Sequence, residues 1–457
     1  MRTFMANELV EKIWARDASL WTSSGEEKWL GWLDAPARSL AQAGEILAFA
    51  EQALDGVENV VLLGMGGSSL APEVMRLAFG STGFHVLDST HPSAVRRLAS
   101  DLDPSSTFYL VSSKSGSTIE TRSHLDYFWA LAGEHGKRFA AVTDPGSDLE
   151  KLARERSFLA VLAGEPTIGG RFSALSPFGI VPAALMGVDI ERFLSRAEEM
   201  VEACRGIAGN PGLELGLELG EGWREGRDKI CIPEHASGFG LWAEQLVAES
   251  TGKQGKGLVP APGELPGDTD RQAVELRIEN SYELGQEMFR WEFAVAVAGA
   301  YLEINPFDQP NVQEAKDRTS AILSSGAEPD LAPRGSLDEL LAAAGPGDYI
   351  AILGFVDPTP ENDAKLAAMA KRAGETTGCV VTRGFGPRYL HSTGQLHKGG
   401  KANGLFIQVV DDLGQELAIP GRDFGFKRLI GAQAAGDFAA LEEHGRAVVR
   451  IGLEEEL

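Results

Sequence analysis

The sequence predicts an α/β protein: two units with parallel sheets flanked by helices, preceded by an N-terminal helical arm. Three observations carry that expectation. Residues up to about 55 show helix-period patterning (ELVEKIWA, then ARSLAQAGEILAFAEQAL). From Val57 onward, short apolar runs alternate with helix-period segments. Two of those runs open directly into loops of small polar residues. Regular β-α-β alternation implies parallel sheets covered on both faces, with binding loops at the C-terminal strand ends.

In the first unit the strand candidates are NVVLLGM, FHVLDS, STFYLVSS, RFAAVTD and SFLAVLA. SLAPEVMRLAF, PSAVRRLA, TIETRSHLDYFWALA and SDLEKLARE lie between them with helical period. The helical segments PFGIVPAALMG and DIERFLSRAEEMVEACRG lead to a less regular second unit. There DKICIPE reads as a strand and FGLWAEQLVAEST as a helix, while GKQGKGLVPAPGELPGD reads as a loop because of its Gly and Pro content. A long helix, YELGQEMFRWEFAVAVAGAYLEI, precedes NPFDQP, and DYIAILGFV, TGCVVTRGFG and GLFIQVVDD supply further strands around the helix PENDAKLAAMAKRAG. The expected division is 1–55 helical arm, 56–205 first α/β unit, 206–430 second α/β unit and 431–457 helical tail.

Length and composition restrict the function. A chain of 457 residues exceeds one ordinary core, so two domains are expected, and 43% hydrophobic with 24% charged content is that of a soluble globular protein. A net charge of −24 argues against nucleic acid or an anionic membrane as partner, and requires a locally positive pocket for any anionic substrate. Cys204, Cys231 and Cys379 form no CxxC pair, which fits a reducing cytoplasm. The N-terminal segment carries acids among its bases and reads as no signal peptide. The longest apolar stretch, Phe293 to Leu302, falls short of the ~20 residues that span a bilayer and reads as a buried helix.

The most informative loop is Ser112-Ser113-Lys114-Ser115-Gly116-Ser117-Thr118, set between a strand and the start of a helix. Backbone N–H groups and the helix dipole favour an anion there, and the hydroxyls and Lys114 add donors, so a phosphorylated small molecule is the ligand class. The loop GMGGSS is a weaker signal. Ser69 stands where a dinucleotide fingerprint has its third glycine, although Asp88 ends a strand about 20 residues on. In GGRFSALSPFG, two glycines precede Arg171 and permit close backbone approach to a ligand; a surface arginine is the alternative. Gln245 and Glu249 lie four apart on one helix face. Glu249 falls near the helix end, where the dipole disfavours a carboxylate, and so suits a general base; a solvated surface glutamate is the alternative.

Together GMGGSSLAP, SSKSGSTIET, IGGRFSALSPFG, QLVAESTGK and NPFDQPNVQEAK resemble the glucose-6-phosphate isomerase family, in family order from about Asn59 to Lys316. The resemblance implies two sugar-isomerase (SIS) units and aldose–ketose isomerisation through a cis-enediolate, without metal or cofactor. By that resemblance Gly67 and Ser68 line the sugar site, and Ser113, Lys114, Ser115 and Thr118 hold the phosphate. Arg171 steadies the enediolate, Gln245 and Glu249 are the glutamine and the catalytic base, Lys316 serves ring opening and Gln309 binds sugar. One segment is displaced. The family histidine, often written LHSxGQ, precedes NPFDQP in the family, whereas here RYLHSTGQLHKGG follows it at Arg388 to Gly400. His391 then fills that role, with His397 as the alternative. This order is similar to the isomerase half of transaldolase/glucose-6-phosphate isomerase fusions, while nothing resembles the transaldolase half. The other histidines form no spaced metal-ligand set. The resemblance also implies a homodimer and a cytoplasmic place in glycolysis and gluconeogenesis. It leaves open which subunit's histidine serves a given site. A non-catalytic sugar-phosphate sensor and an isomerase of another phosphosugar, such as mannose 6-phosphate, are the competing readings.

Overall fold

The computed structural model describes residues 5–267 and 269–455. Its first sheet holds β1 (Asn59–Leu63), β2 (Phe84–Leu87), β3 (Thr107–Ser112), β4 (Phe139–Thr143) and β5 (Ala160–Ala163) in the order β2-β1-β3-β4-β5, all parallel. All five strands expected from the sequence are present. The chain leaves β1 toward one edge and β3 toward the other, so the strand order reverses between these neighbours. A crevice opens at such a reversal, outside the carboxyl ends of the strands. The register sets Leu63 beside Val111, so the loops that follow β1 and β3 start side by side.

The second half departs from expectation in having two sheets. β6 (Lys229–Ile232), β7 (Val259–Pro262) and β8 (Arg271–Ala273) form a small parallel sheet in the order β7-β6-β8. β9 (Tyr349–Phe355), β10 (Val380–Phe385), β11 (Gly404–Val410) and β12 (Ala447–Gly452) form a second one in the order β10-β9-β11-β12. β7 lies inside the segment expected to be a loop. Its two prolines are tolerated because β7 is an edge strand, while Val259 and Ala261 are buried. The expected helical tail 431–457 also needs correction. The helix Phe426–Glu443 ends at His444, and the following Val448, Val449 and Ile451 extend as β12 along β11. These β-branched residues suit a half-buried edge strand, so the expected tail ends as a strand of the sheet that holds β11.

The helix Leu284–Leu302 is buried along almost its whole length, as expected for that apolar stretch. The helical arm packs against it. Trp21 Nε1 donates to the Ala296 carbonyl at 2.8 Å, and the Trp32 ring lies 5.5 Å from Phe172 and 5.7 Å from Phe289. Burying each such aromatic contributes about 1.5–3 kcal/mol. The arm therefore backs the turn Gly170–Phe172 that carries Arg171. Among the described residues no helix is long and apolar enough to cross a membrane.

Candidate active site

The loops after β1 and β3 meet elements of the second half in one cluster. Gly66 has φ +54°, and a Cβ there would lie 2.7 Å from the His391 carbonyl oxygen. At Gly67 a Cβ would lie 2.2 Å from the Gly170 carbonyl. Glycine at these two positions thus lets the β1 loop seat between the Arg171 turn and the His391 turn. Ser68 is buried beside them.

Arg171 is 1% exposed and fully engaged. Its Nε donates to Ser250 Oγ at 2.7 Å, Nη1 to Gln309 Oε1 at 3.0 Å, and Nη2 to the Pro306 and Asp308 carbonyls at 2.6 and 2.9 Å. The same Nη1 lies 3.5 Å from Glu249 Oε1. Burial lowers the Arg171 pKa, and the Glu249 and Asp308 charges oppose that shift. The surface-arginine alternative is excluded by this burial.

Gln245 and Glu249 share one face of the helix Phe239–Thr251, as their spacing predicts. Gln245 Nε2 donates to Glu249 Oε2 at 3.0 Å and to the His391 carbonyl at 2.7 Å. Glu249 is only 9% exposed, so it is not a solvated surface group.

His391 sits within the same chain's cluster, with Nε2 2.9 Å from Glu120 Oε1. The displaced segment is docked by Gln395, whose Nε2 donates to the Gly252 carbonyl at 2.9 Å and to Asn311 Oδ1 at 2.8 Å. His397 lies instead in an aromatic cage, 5.0 Å from the Phe406 ring and 6.0 Å from the Tyr389 ring. Burial drives its pKa well below the usual histidine value, with help from Lys398 and Arg446. It is a core residue.

Glu120 was not singled out by sequence reasoning. An acid in the first turn of a helix is an ordinary complement to the dipole, so nothing marked it. Burial pushes its pKa up, but the His391 charge and hydrogen bond, with the Lys316 charge, outweigh this and the carboxyl stays below its usual value. Lys316 is exposed on the helix Val312–Ser325, near enough for its charge to act on Glu120. Gln309 is exposed, held through its contact with Arg171.

The serine-rich loop leads into the helix Ile119–Leu131 through Thr118 at the N-cap. Ser113 Oγ donates to Thr118 Oγ1 at 3.2 Å and accepts from the Gly116 N–H at 3.1 Å. Ser115 Oγ accepts from Ser117 at 3.1 Å. Lys114 is paired with an acid. Its Nζ donates to Asp144 Oδ2 at 2.5 Å and to the Glu165 carbonyl at 3.1 Å, because the end of β4 puts a half-buried carboxylate beside it. Asp88, the residue that kept a dinucleotide reading open, faces Arg388 at 3.6 Å. Among the described residues no group of three or more histidines, cysteines or carboxylates is placed to hold a metal.

Two further groups beside the cluster have shifted acidity. Lys253 Nζ donates to the Asn305 and Asp308 carbonyls at 2.8 and 2.5 Å and to Asp308 Oδ1 at 2.7 Å. Burial and then the Arg171 charge lower its pKa to about 7, against the pull of Asp308. Burial raises Glu244 to about 7, partly offset by Arg388 and Arg383. Its folded-state pKa exceeds the unfolded value, so its contribution is full below about pH 4.5 and is lost as pH rises through 7. We expect Glu244→Gln to raise the melting temperature at pH 8, by roughly 1–3 kcal/mol of stability, and to change little at pH 5. Thermal unfolding of both proteins across pH 5–8 checks this; parallel curves would refute it.

Fold and site together define an α/β protein whose switch-point loops meet a buried arginine, a carboxylate and a histidine–carboxylate pair. The sequence model of the phosphoglucose isomerase family matches residues 37–209. Glucose-6-phosphate isomerase from Thermus thermophilus is 40% identical over 180 residues, covering 38% of this chain and 43% of that protein. The enzyme of the same name from Carboxydothermus hydrogenoformans is 27% identical over 395 residues, covering 64% of this chain and 85% of that one. A solved glucose-6-phosphate isomerase from Chlamydia trachomatis shares the fold, with a TM-score of 0.53 at 19% identity over 71% of this chain and 79% of that chain. Residues 37–209 thus match the phosphoglucose isomerase family model, and the chain is similar to glucose-6-phosphate isomerases over part of its length. Its match to the Thermus protein spans less than half of that protein's length, and the family match ends before Glu249, Lys316 and His391.

Proposed function

We propose that this protein interconverts glucose 6-phosphate and fructose 6-phosphate by moving a proton between C1 and C2 of the opened sugar. The observation that carries this reading is the buried pairing of Glu249 with Arg171 at 3.5 Å, next to the His391–Glu120 pair. A base for the carbon acid and a cation for the developing oxyanion are the two groups an enediolate route needs. Glu249 carries the proton, and Arg171 stabilises the cis-enediolate. His391, oriented by Glu120, shares ring opening with Lys316. The loop Ser113, Ser115 and Thr118 holds the phosphate, so binding at the unreactive end orients the reacting end. No redox cofactor is needed, because the electrons move within the substrate. The family resemblance adds a homodimer acting in cytoplasmic glycolysis and gluconeogenesis, and light scattering checks the assembly.

The test is conversion of fructose 6-phosphate to glucose 6-phosphate by purified protein without added metal or nucleotide, read by a coupled dehydrogenase. Absence of product with the sugar phosphate still bound would refute the isomerase reading. Ser113→Ala with Thr118→Ala should raise KM about tenfold or more with a smaller change in kcat, since ground-state phosphate binding is lost. An unchanged KM would place the phosphate elsewhere.

A further inference from the structure

The carboxyl-terminal helix Phe426–Glu443 reaches the cluster at Gln433, which is 2% exposed. Gln433 Nε2 donates to Glu120 Oε1 at 2.7 Å, the same oxygen that faces His391 Nε2. Gln433 Oε1 accepts from Thr90 Oγ1 at 2.7 Å, which fixes the carboxamide with its N–H side toward Glu120. One turn later Asp437 takes Lys398 Nζ at 2.5 Å and the Tyr389 hydroxyl at 2.5 Å, all three side chains being buried. Tyr389 belongs to the short turn Arg388–His391. One helix thus grips both halves of the pair, Glu120 through Gln433 and the His391 turn through Asp437.

We propose that Gln433 is a positioning residue that holds the Glu120 carboxylate in line with His391, so that the carboxyl-terminal helix completes the catalytic cluster. The proposal rests on the isomerase reading of this site. A carboxylate bound only by the imidazole is free to rotate and to present either oxygen. The Thr90–Gln433 chain removes that freedom, and the N–H adds a charge-assisted bond to the ionised form. His391 and Lys316 act electrostatically on Glu120, and Glu120 in turn acts on buried His124. Gln433 supplies the neutral donor within this group.

Gln433→Met keeps the volume and removes the donor. We expect turnover of cyclic fructose 6-phosphate to fall about 10–100-fold, with KM within about threefold and an opened-chain analogue spared. The Glu120 titration, followed by carbon-13 NMR, should move up by about one pH unit, as expected for a lost charge-assisted bond. That readout needs no activity, so it separates this proposal from the isomerase reading. Thr90→Val is the milder variant should the first not fold, and is expected to shift the same titration in the same direction by less. An unmoved Glu120 titration in a folded variant, or equal losses on cyclic and opened substrates, would overturn the positioning role.

Discussion

Glu249→Gln should lower isomerase turnover by about a thousandfold or more while sugar-phosphate affinity stays within a few-fold. The substitution preserves shape and leaves an amide oxygen to accept from Gln245, which now bonds Glu249 at 3.0 Å. It removes the carboxylate that lies 3.5 Å from Arg171 Nη1 and is proposed to take the proton from carbon. Arg171 keeps Ser250, Gln309 and the Pro306 and Asp308 carbonyls, so the variant loses chemistry without losing its scaffold. The coupled assay measures the rate, and titration calorimetry with fructose 6-phosphate measures binding. Full activity in the variant would remove Glu249 from the mechanism.

The second large effect is expected at His391. His391→Ala should cut turnover of the cyclic sugar about a hundredfold or more and spare an opened analogue, since proton transfer at the ring oxygen is the step proposed for it. Glu120→Gln should follow the same pattern more weakly, because the imidazole remains but loses the carboxylate 2.9 Å away. Parallel rate measurements on the two substrates decide the matter. Equal losses on both would count against a ring-opening role.

Much of the first unit was legible from local pattern. The five strands of the first sheet announce themselves by short apolar runs, and the two loops fall where β1 and β3 end. The Gln245–Glu249 face follows from helical spacing alone. The second unit was less legible. β7 carries two prolines, and β12 follows a long helix in a segment of mixed character, so neither has a decisive period of its own. Each is stabilised as an edge strand by a partner remote in sequence.

Side-chain roles divide along the same line. The motif containing His391 was visible, but two histidines in one segment could not be told apart until burial put His397 among aromatic rings and His391 against Glu120. The pairing of Lys114 with Asp144, 30 positions on, had no local signal. Glu120 and Gln433 carried no sequence signal, being an ordinary first-turn acid and a mid-helix amide.

By itself, then, the sequence determined the α/β architecture, the strand-end loops of small polar residues and the shared helix face of Gln245 and Glu249, because period and spacing act over a few residues. Only the tertiary structure decided which of those residues meet. His391 and Glu120 are 271 positions apart, and Gln433 and Glu120 are 313 apart. Such pairs exist because packing brings remote surfaces together, which no local pattern records.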